Sequence, residues 1–327
     1  MSQTVQFITA FLISLIVTLL LEKKFIPALM RIKMGQFILD IGPRWHKSKE
    51  GTPTMGGLFF IGGIVLSFLA VGVYSAVKFG DSSSVIVLGA SVLFGVIGFI
   101  DDYTKFVKKQ NKGLSARAKL ILQLIVSAMF LFAMKSLGYI TTSVKLPFCD
   151  ISLELGAVYY VFALVFISFV VNSVNLTDGI DGLAGSVTLV VTVLFATVAF
   201  KMLDMPFIAL TGAVAGGLCS FLYYNINPAK IFMGDTGSLA LGGLVASVAI
   251  FSKMSLYIPI LGIMFVLSAV SVIMQVSYYK LTKKRIFLMA PLHHHFEKKG
   301  VHEVRITVCY TLVTLFVGFV TIMLNIL

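Results

Sequence analysis

The sequence predicts an all-α, polytopic membrane protein with about ten transmembrane helices. Hydrophobic residues make up 58% of its 327 residues and charged residues only 12%, with a mean hydropathy of +0.99. A soluble domain of this size does not need so much apolar surface, so the composition favours a bilayer as the solvent. Uncharged runs of membrane-spanning length recur along the chain, and the charged residues collect between them.

Ten uncharged segments are each about long enough to cross a bilayer. No Lys or Arg precedes the first, and no small-residue cleavage site stands out, which favours a transmembrane helix over a removed signal peptide. We expect the fourth to extend past Lys135, the seventh and ninth to reach into the interface, and residues 1–327 to form a single domain. The segments are 4–21, 55–77, 84–100, 120–134, 155–174, 182–200, 207–229, 236–252, 254–279 and 306–327.

Basic residues are distributed unequally between alternate loops. One set of loops holds 21 of the 26 Lys and Arg residues, and it also holds 10 of the 14 acidic residues. By the positive-inside rule this set is cytoplasmic, and both chain termini are then external. The loops of this set are 22–54, 101–119, 175–181, 230–235 and 280–305.

Several classes of protein are disfavoured by what the sequence lacks. No ionisable residue falls in the middle of the ten segments, whereas ion-coupled transporters usually keep such groups at mid-membrane. Gln275 is one of the few strongly polar residues there. The net charge of +12 is explained by loops at a membrane surface, so no nucleic-acid partner is expected. The three cysteines are scattered singly, which indicates neither a disulfide framework nor a zinc site. The layout favours chemistry at the cytoplasmic surface.

Three acidic stretches on the predicted cytoplasmic face follow or begin apolar segments. Oxygen ligands without thiols suit Mg²⁺, which prefers one or two carboxylates together with phosphate oxygens and water. Taken singly, each stretch could be a solvated helix end or a tight turn, and a calcium-type loop would need a bidentate Glu that is absent. Three on one face favour a magnesium–phosphate site. The polar residues concerned are Asp101, Asp102, Asn172, Asn175, Asp178, Asp181, Asn225 and Asp235.

The stretch from Asp235 to Ser238 also begins the eighth predicted helix. Thr236 or Ser238 could cap this helix, because a hydroxyl at the first position accepts from a free backbone N–H. The remaining N–H groups of the first turn could then hold an anion. The sequence thus predicts an anion site beside the proposed cation site.

Basic and histidine-rich loops lie on the same predicted face. Contact with anionic lipid explains most of these cations, so only those near the carboxylates, Lys49 and Lys105 above all, are expected to contact substrate. Residues 293–295 are three consecutive histidines. A zinc site with His302 and Glu303 is disfavoured because adjacent imidazoles cannot all ligate one ion, and hydrogen bonding to phosphate or sugar is the preferred interpretation. A merely solvated loop remains the alternative.

Five motifs occur in order along the chain. They are Gly51-Thr52-Pro53-Thr54-Met55-Gly56-Gly57, Asp101-Asp102-Tyr103-Thr104-Lys105, Asn175-Leu176-Thr177-Asp178-Gly179-Ile180-Asp181-Gly182, Phe232-Met233-Gly234-Asp235-Thr236-Gly237-Ser238 and Pro291-Leu292-His293-His294-His295-Phe296-Glu297. Together they resemble the phospho-N-acetylmuramoyl-pentapeptide transferase family, within the polyprenyl-phosphate N-acetylhexosamine-1-phosphate transferase superfamily. The resemblance covers essentially the whole chain, and the five motifs together are very specific.

The resemblance implies an activity, a cofactor and a location. Members transfer phospho-MurNAc-pentapeptide from UDP-MurNAc-pentapeptide to undecaprenyl phosphate, giving lipid I and UMP in peptidoglycan synthesis, with Mg²⁺. The protein is then expected to be a multi-pass protein of the bacterial cytoplasmic membrane and to form a homodimer. Both termini external and an active site on the cytoplasmic face agree with the family.

The resemblance also implies roles for individual residues. Asp235 is expected to be the main Mg²⁺ ligand, Asp101 and Asp102 to complete the metal–phosphate site, and Asp101 to deprotonate or orient the lipid phosphate. Lys105 joins them as a catalytic residue that faces phosphate. The substrate-binding residues implied are Lys49 and Asp181 on uridine, Phe232 on the uracil ring, Asn175 and Asp178 near metal and nucleotide, Lys119 on phosphate, His293, His294 and His295 on the sugar or peptide, and Thr54, Asn172 and Gln275 elsewhere in the site.

Two other functions remain open. Enzymes of the same superfamily that load GlcNAc-1-phosphate onto the lipid share the acidic motifs, although the uninterrupted histidine motif favours the MurNAc-pentapeptide substrate. A lipid or nucleotide-sugar transporter would explain the helices and the basic loops. It would not explain three acidic loops on one face without an ionisable group at mid-membrane.

Overall fold

The computed structural model describes residues 2–31, 49, 51–108, 110, 112–149, 151–202 and 205–326, except the side chains of 202, 205, 206, 325 and 326. Within these residues, ten helices are long and apolar enough to cross a membrane, which confirms the predicted all-α fold. The elements are α1 Gln3–Arg31, α2 Gly57–Phe79, α3 Ser83–Lys108, α4 Ala116–Ser136, β1 Ser143–Lys145, β2 Ser152–Glu154, α5 Val158–Thr177, α6 Leu183–Met202, α7 Met205–Asn225, α8 Gly234–Phe251, α9 Ile258–Leu261, α10 Ile263–Thr282, α11 Leu292–Lys298 and α12 Glu303–Ile326. All of these helices except the short α9 and α11 are candidate spans.

Several predicted helix boundaries are wrong. The ninth segment is not one helix, since a 3₁₀ turn and the four-residue α9 come before a break at Gly262 and the start of α10. The seventh segment was expected to run to residue 229, but α7 ends at Asn225, three residues before Pro228. The fourth does extend past Lys135, to Ser136. The first continues to Arg31, and this extension places an acidic residue, Glu22, inside a spanning helix.

Helix α8 lies at the centre of the bundle and packs against α2, α3 and α5. Its neighbours approach closely because glycines face it. A Cβ on Gly98 of α3 would lie only 2.1 Å from the carbonyl oxygen of Asp235, and one on Gly57 of α2 would lie 2.5 Å from the Cα of Gly237. Only a residue without a side chain permits such contacts. The backbone around Asp235 is therefore fixed directly by the surrounding helices.

Connectivity divides the bundle into two ends. The hairpin β1–β2, an antiparallel pair in which Val144 lies opposite Leu153, joins the C-terminus of α4 to the N-terminus of α5 at one end. The opposite end contains the C-termini of α3, α5 and α7 and the N-termini of α2, α4 and α8. The motifs picked out from the sequence lie at this second end.

Candidate active site

Three carboxylates come together where α3 meets the start of α8. One oxygen from each of Asp101, Asp102 and Asp235 lies within 4.8 Å of the others. We predicted that the Asp pair stands at the mouth of a helix, but α3 continues to Lys108 and the pair is inside it. Asp101 is only 3% exposed and Asp102 only 5%. The solvated helix end considered from the sequence is therefore wrong.

Asp102 caps helix α8 from the neighbouring helix α3. Its carboxylate accepts the backbone N–H of Asp235 at 3.2 Å and that of Thr236 at 2.9 Å, and also the Thr236 hydroxyl at 2.7 Å. The predicted cap by Thr236 or Ser238 is wrong, because Thr236 donates to Asp102 and the Ser238 hydroxyl donates to the carbonyl of Gly234 at 3.0 Å. The backbone N–H groups of Asp235 and Thr236 already donate to Asp102, so they are not free to bind an anion, contrary to our expectation.

Asp235 contacts two lysines and a side-chain amide. Lys105 Nζ lies 2.8 Å and Lys119 Nζ 3.0 Å from its Oδ2, and the amide of Asn175 donates to its Oδ1 at 2.7 Å. Lys105 also lies 2.6 Å from Asp101. Three carboxylates share two ammonium groups, so the cluster has one negative charge in excess when all five are ionised. A cation is the natural complement to this excess charge.

Asp101 connects the cluster to the loop between α3 and α4. Its Oδ1 accepts the backbone N–H of Leu114 at 2.8 Å. Only glycine fits at position 113, because a Cβ there would lie 2.5 Å from Asp101 Oδ1. The loop from Gly113 therefore brings the first turn of α4, with Lys119, over the carboxylates.

The donor set of this cluster fits Mg²⁺. It consists of three carboxylates, which are hard oxygen ligands, with the Asn175 amide beside them and no thiol in the group. Asp102 also caps α8, and Asp101 and Asp235 are the carboxylates with a lysine within 3.0 Å that a metal ion could replace. The lysines would then be released to face phosphate.

Lys49 belongs to a second, separate cluster. Its Nζ lies 2.6 Å from Asp181 and 2.5 Å from Glu303 at the start of α12. Asp181 also accepts from the Asn227 amide at 3.1 Å and from the backbone N–H of Ala229 at 3.0 Å. Asn227 donates to Glu303 as well. Asn227 was not among the residues predicted from the sequence, and Glu303 was considered only for a disfavoured zinc site.

The chain between Asn227 and Asp235 links the two clusters. Phe232 pairs with the loop before α2: its N–H donates to the Pro53 carbonyl at 2.9 Å, and its carbonyl accepts from Gly56 at 2.8 Å. Thr54 Oγ1 would lie 2.9 Å from a Cβ on Gly234. Phe232 is partly exposed. The motif at 51–57 thus meets the motif at 232–238 beside the carboxylates. This contact could not be predicted from the sequence.

Asp178 lies between the two clusters, directly after α5. Burial, with help from the negative charges of Asp235, Asp102 and Asp181, raises the pKa of Asp178 to about 8. Its carboxyl group is therefore largely protonated near neutral pH when no cation is present. A positive charge that enters the site would lower the pKa of Asp178 and favour loss of its proton.

The three histidines face in different directions. His293 is fully buried against the Asp178 loop, where a Cβ on Gly179 would lie 2.2 Å from its Nε2. His294 Nδ1 lies 2.6 Å from Glu297, within α11. His295 Nδ1 accepts the Leu288 N–H at 3.1 Å, and desolvation together with Lys299 lowers the pKa of His295. Of the three, His293 has the most direct contact with the acidic motifs.

Two predicted substrate residues make structural contacts. The Gln275 side chain donates to the Phe287 carbonyl at 3.1 Å and accepts the N–H groups of Ile286 and Phe287, which fixes the chain after α10. The Asn172 amide donates to Gln123 on α4 at 2.7 Å. Neither residue bonds to the carboxylate clusters in the described part of the chain.

Comparison with known proteins gives concordant relatives. Residues 84–253 match the family described as Glycosyl transferase family 4, and residues 49–61 match phospho-N-acetylmuramoyl-pentapeptide-transferase signature 1. A protein of Clostridium kluyveri named phospho-N-acetylmuramoyl-pentapeptide-transferase is 45% identical over 95% of this chain and 98% of its own length. Proteins with the same name are 43% identical in Clostridium botulinum, over 96% of each chain, and 42% identical in Caldanaerobacter subterraneus, over 96% of this chain and 97% of the relative.

Proposed function

The chain belongs to the phospho-N-acetylmuramoyl-pentapeptide transferase family, and we propose that it transfers phospho-MurNAc-pentapeptide from UDP-MurNAc-pentapeptide to undecaprenyl phosphate, with release of UMP. It is a multi-pass protein of the bacterial cytoplasmic membrane. The observation that carries the reaction is the cluster of three carboxylates and two lysines at one end of a ten-helix bundle. A lipid phosphate can reach this end from the bilayer, and a nucleotide from water.

The two lysines match the main electrostatic problem of the reaction. A phosphate must approach a diphosphate, and the lipid phosphate is largely ionised at pH 7 because its second pKa is about 6. Positioning and neutralisation of charge then account for most of the catalysis. Lys105 and Lys119, whose ammonium groups already converge on one oxygen of Asp235, would bind the phosphates of the two substrates. Asp101, which Lys105 also contacts, would orient the lipid phosphate.

Mg²⁺ is the cofactor that we propose. Asp235 would be its main ligand and Asp101 the second, while Asp102 would fix the start of α8 on which Asp235 stands. When bound, the ion would neutralise charge on the diphosphate and on the leaving UMP. Asn175 would keep Asp235 oriented through its 2.7 Å hydrogen bond. Asp178 would lose its proton when the cation binds nearby.

The second cluster is the proposed site of uridine. Lys49 and Asp181 would supply a donor and an acceptor to the base or ribose, and Phe232 would stack on the uracil. Asn227, which donates to Asp181 and Glu303, and Glu303, which accepts from Lys49, would hold these groups in place. His293 would contribute to the sugar end. We further propose that the site faces the cytoplasm, that both termini are external, and that the protein forms a homodimer.

The family relationship disfavours the two other functions. One argument against a transporter is nevertheless weakened, because Glu22 is fully buried inside α1 and the spanning helices do contain an ionisable residue. The near full-length similarity to named transferases favours an enzyme instead.

An assay of UMP release tests the proposal. Purified protein in detergent is supplied with undecaprenyl phosphate, Mg²⁺ and either UDP-MurNAc-pentapeptide or UDP-GlcNAc. We expect release only from the first substrate, loss of release with EDTA, and recovery when Mg²⁺ is added back. Release only from UDP-GlcNAc would assign the sister activity. Full turnover in EDTA would contradict the metal assignment, and no release from either substrate would contradict the enzymatic proposal.

A further inference from the structure

Helices α4 and α5 are joined inside the bundle by two side-chain amides. The Asn172 amide nitrogen donates to Gln123 Oε1 at 2.7 Å, and the Gln123 nitrogen donates back to Asn172 Oδ1 at 3.4 Å. Gln123 is 0% exposed. A buried amide that lacks a partner is destabilising, so Gln123 depends on Asn172 for its hydrogen bonds. These two residues form the amide pair.

A neighbouring bond fixes the orientation of the amide pair. The other hydrogen of the Asn172 nitrogen goes to the Ser168 carbonyl at 2.7 Å, and a carbonyl oxygen can only accept. The atom of Asn172 that faces Ser168 must therefore be the nitrogen, and the atom of Gln123 that receives its other hydrogen must be the oxygen. An apolar side chain of similar length at position 123 could not reproduce this arrangement.

The amide pair lies about one helical turn from two groups that hold Asp235. Lys119 precedes Gln123 by four residues on α4, and Asn175 follows Asn172 by three residues on α5. Residues three or four apart share a face of a helix. The ammonium of Lys119 lies 3.0 Å from Asp235 Oδ2, and the amide of Asn175 donates to Oδ1 at 2.7 Å. The amide pair therefore joins the two helices whose side chains contact the two oxygens of Asp235.

Apolar packing does not account for the position of the start of α4. Residues 116–122 are each exposed or half-buried, and Gln123 is the first buried residue of this helix, all of which the structure describes. The apolar side chains of α4 are buried only from Val126 onward. Just before the helix, the Leu114 N–H is bonded to one of the three carboxylates at 2.8 Å. The position of Lys119 thus depends on polar contacts on both sides of it.

We propose that Gln123 is a positioning residue of the reaction, which acts through the amide pair to hold Lys119 beside Asp235 and the substrate phosphates. The role of Lys119 toward phosphate rests on the proposed function. The amide pair includes no carboxylate, so it stays in place when a metal ion takes the position of Lys119 on Asp235. The start of α4 then keeps the freed ammonium group within reach of phosphate, where a displacement of about 1 Å can cost about 100-fold in rate.

Steady-state UMP release by the purified full-length protein in detergent tests the kinetic role of Gln123. Gln123→Met keeps the length of the side chain and removes its amide. We expect kcat to fall by about 10- to 100-fold and KM for UDP-MurNAc-pentapeptide to change by less than about threefold, because the Lys49 cluster is separate. Gln123→Asn/Asn172→Gln, which exchanges the two amides between the helices, should recover most of the native kcat.

Ser127→Ala is the matched control, because Ser127 is also buried on α4 and its hydroxyl donates to the Gln123 backbone carbonyl at 2.7 Å, within the same helix. It should keep the native kcat. Loss of packing alone would not be reversed by exchange of the two amides. An unchanged kcat in Gln123→Met would overturn the proposal, as would an equal loss in Ser127→Ala or an exchange variant no more active than Gln123→Met.

A chemical measurement tests the position of Lys119 without substrate. The Lys119 side chain is only 16% exposed and is paired with Asp235. Acetylation by acetic anhydride, followed by mass spectrometry, compares its reactivity with that of the exposed Lys112. We expect Gln123→Met to raise the relative reactivity of Lys119 at least about threefold, because local opening exposes the amine, and Ser127→Ala to leave it unchanged. An unchanged reactivity in Gln123→Met would overturn the proposal. Absence of UMP release by the native protein would contradict the proposed function, whereas the reactivity of Lys119 would still decide the role of Gln123.

Discussion

The two carboxylate–lysine clusters of the site have the same excess charge but differ in construction. The Asp235 cluster has three carboxylates and two lysines, and its groups stand on the ends of long helices that pack through glycines. The Lys49 cluster has two carboxylates and one lysine, and amide and backbone groups from the chain after α7 saturate its oxygens. The first is dense in charge, whereas the second is rich in directional hydrogen bonds.

From this difference we propose that the two clusters have different roles. A dense set of charges on rigid supports suits ligands whose charge changes in the reaction, such as a metal ion and phosphates. A set of directional donors and acceptors suits recognition of a neutral polar group such as a base or ribose. We therefore expect disruption of the first cluster to reduce turnover and disruption of the second to weaken nucleotide binding.

Asp235→Asn should have the largest effect. It keeps the size of the side chain but removes the charge that Lys105, Lys119 and the proposed Mg²⁺ share, so we expect kcat to fall by about 1,000-fold. Turnover is measured as UMP release across a Mg²⁺ titration. Asp81→Asn, at the opposite end of α3, should retain native kcat. Full Mg²⁺-dependent turnover in Asp235→Asn would contradict the metal assignment.

Gly98→Ala should damage the same cluster through the backbone. Its Cβ would lie 2.1 Å from the Asp235 carbonyl, so α3 and α8 must separate and the carboxylate must move. We expect turnover to fall by about 100-fold, as for other small displacements of catalytic groups. Gly89→Ala is the matched control on the same helix, since nothing lies within 4 Å of its Cβ position. Equal activity in the two variants would contradict the importance of this contact.

Lys49→Met should separate binding from catalysis. It removes the cation shared by Asp181 and Glu303, and a charged hydrogen bond of this kind is worth enough to raise KM for the UDP substrate about tenfold. The kcat value should change much less. The control is Lys230→Met, which removes an exposed lysine from the segment between Asn227 and Asp235 and is compared by steady-state kinetics. A fall in kcat with an unchanged KM would mean that the two clusters do not divide the work in this way.

Asp178→Asn should give the smallest change, measured as the stability of the protein without substrate. Since the folded pKa of about 8 lies above the ordinary value of 3.8, the native state binds the proton more tightly, and stability decreases as pH rises through this interval. Removal of the carboxyl group should therefore raise the melting temperature by a few degrees at pH 8 in EDTA, and by less at pH 5. Glu154→Gln, on the exposed strand β2, should show no such trend. A gain that is equal at both pH values would contradict this account.

Sequence reasoning located the site but not its internal contacts. The sidedness of charge correctly suggested that Asp101, Asp102 and Asp235 belong together, because alternate helix ends must meet on one face. It could not show that Asp102 caps α8, since that contact joins residues 133 and 134 positions apart. It also could not show that the partners of Gln275 and Asn172, whose roles toward substrate stay predictions, are a loop carbonyl and another amide.

Helix boundaries were a source of error. The first segment was ended before Glu22 because a charge normally closes a transmembrane run, but the helix continues and places this residue against Ser220. The ninth segment had no charge to interrupt it, so the break at Gly262 was not visible in the hydropathy. Hydropathy reports the environment of a segment, whereas packing between helices decides where each one ends.

The cap that Asp102 provides has a consequence for how the protein is made. Helix α3 leaves the ribosome more than a hundred residues before α8. Asp102 is therefore made before the backbone N–H groups of Asp235 and Thr236 that it binds. Asp235 is made together with α8, so a partly synthesised chain that ends before α8 lacks this carboxylate. Assembly of the bundle and appearance of the site are therefore one event, and a chain truncated before α8 should be inert toward its nucleotide.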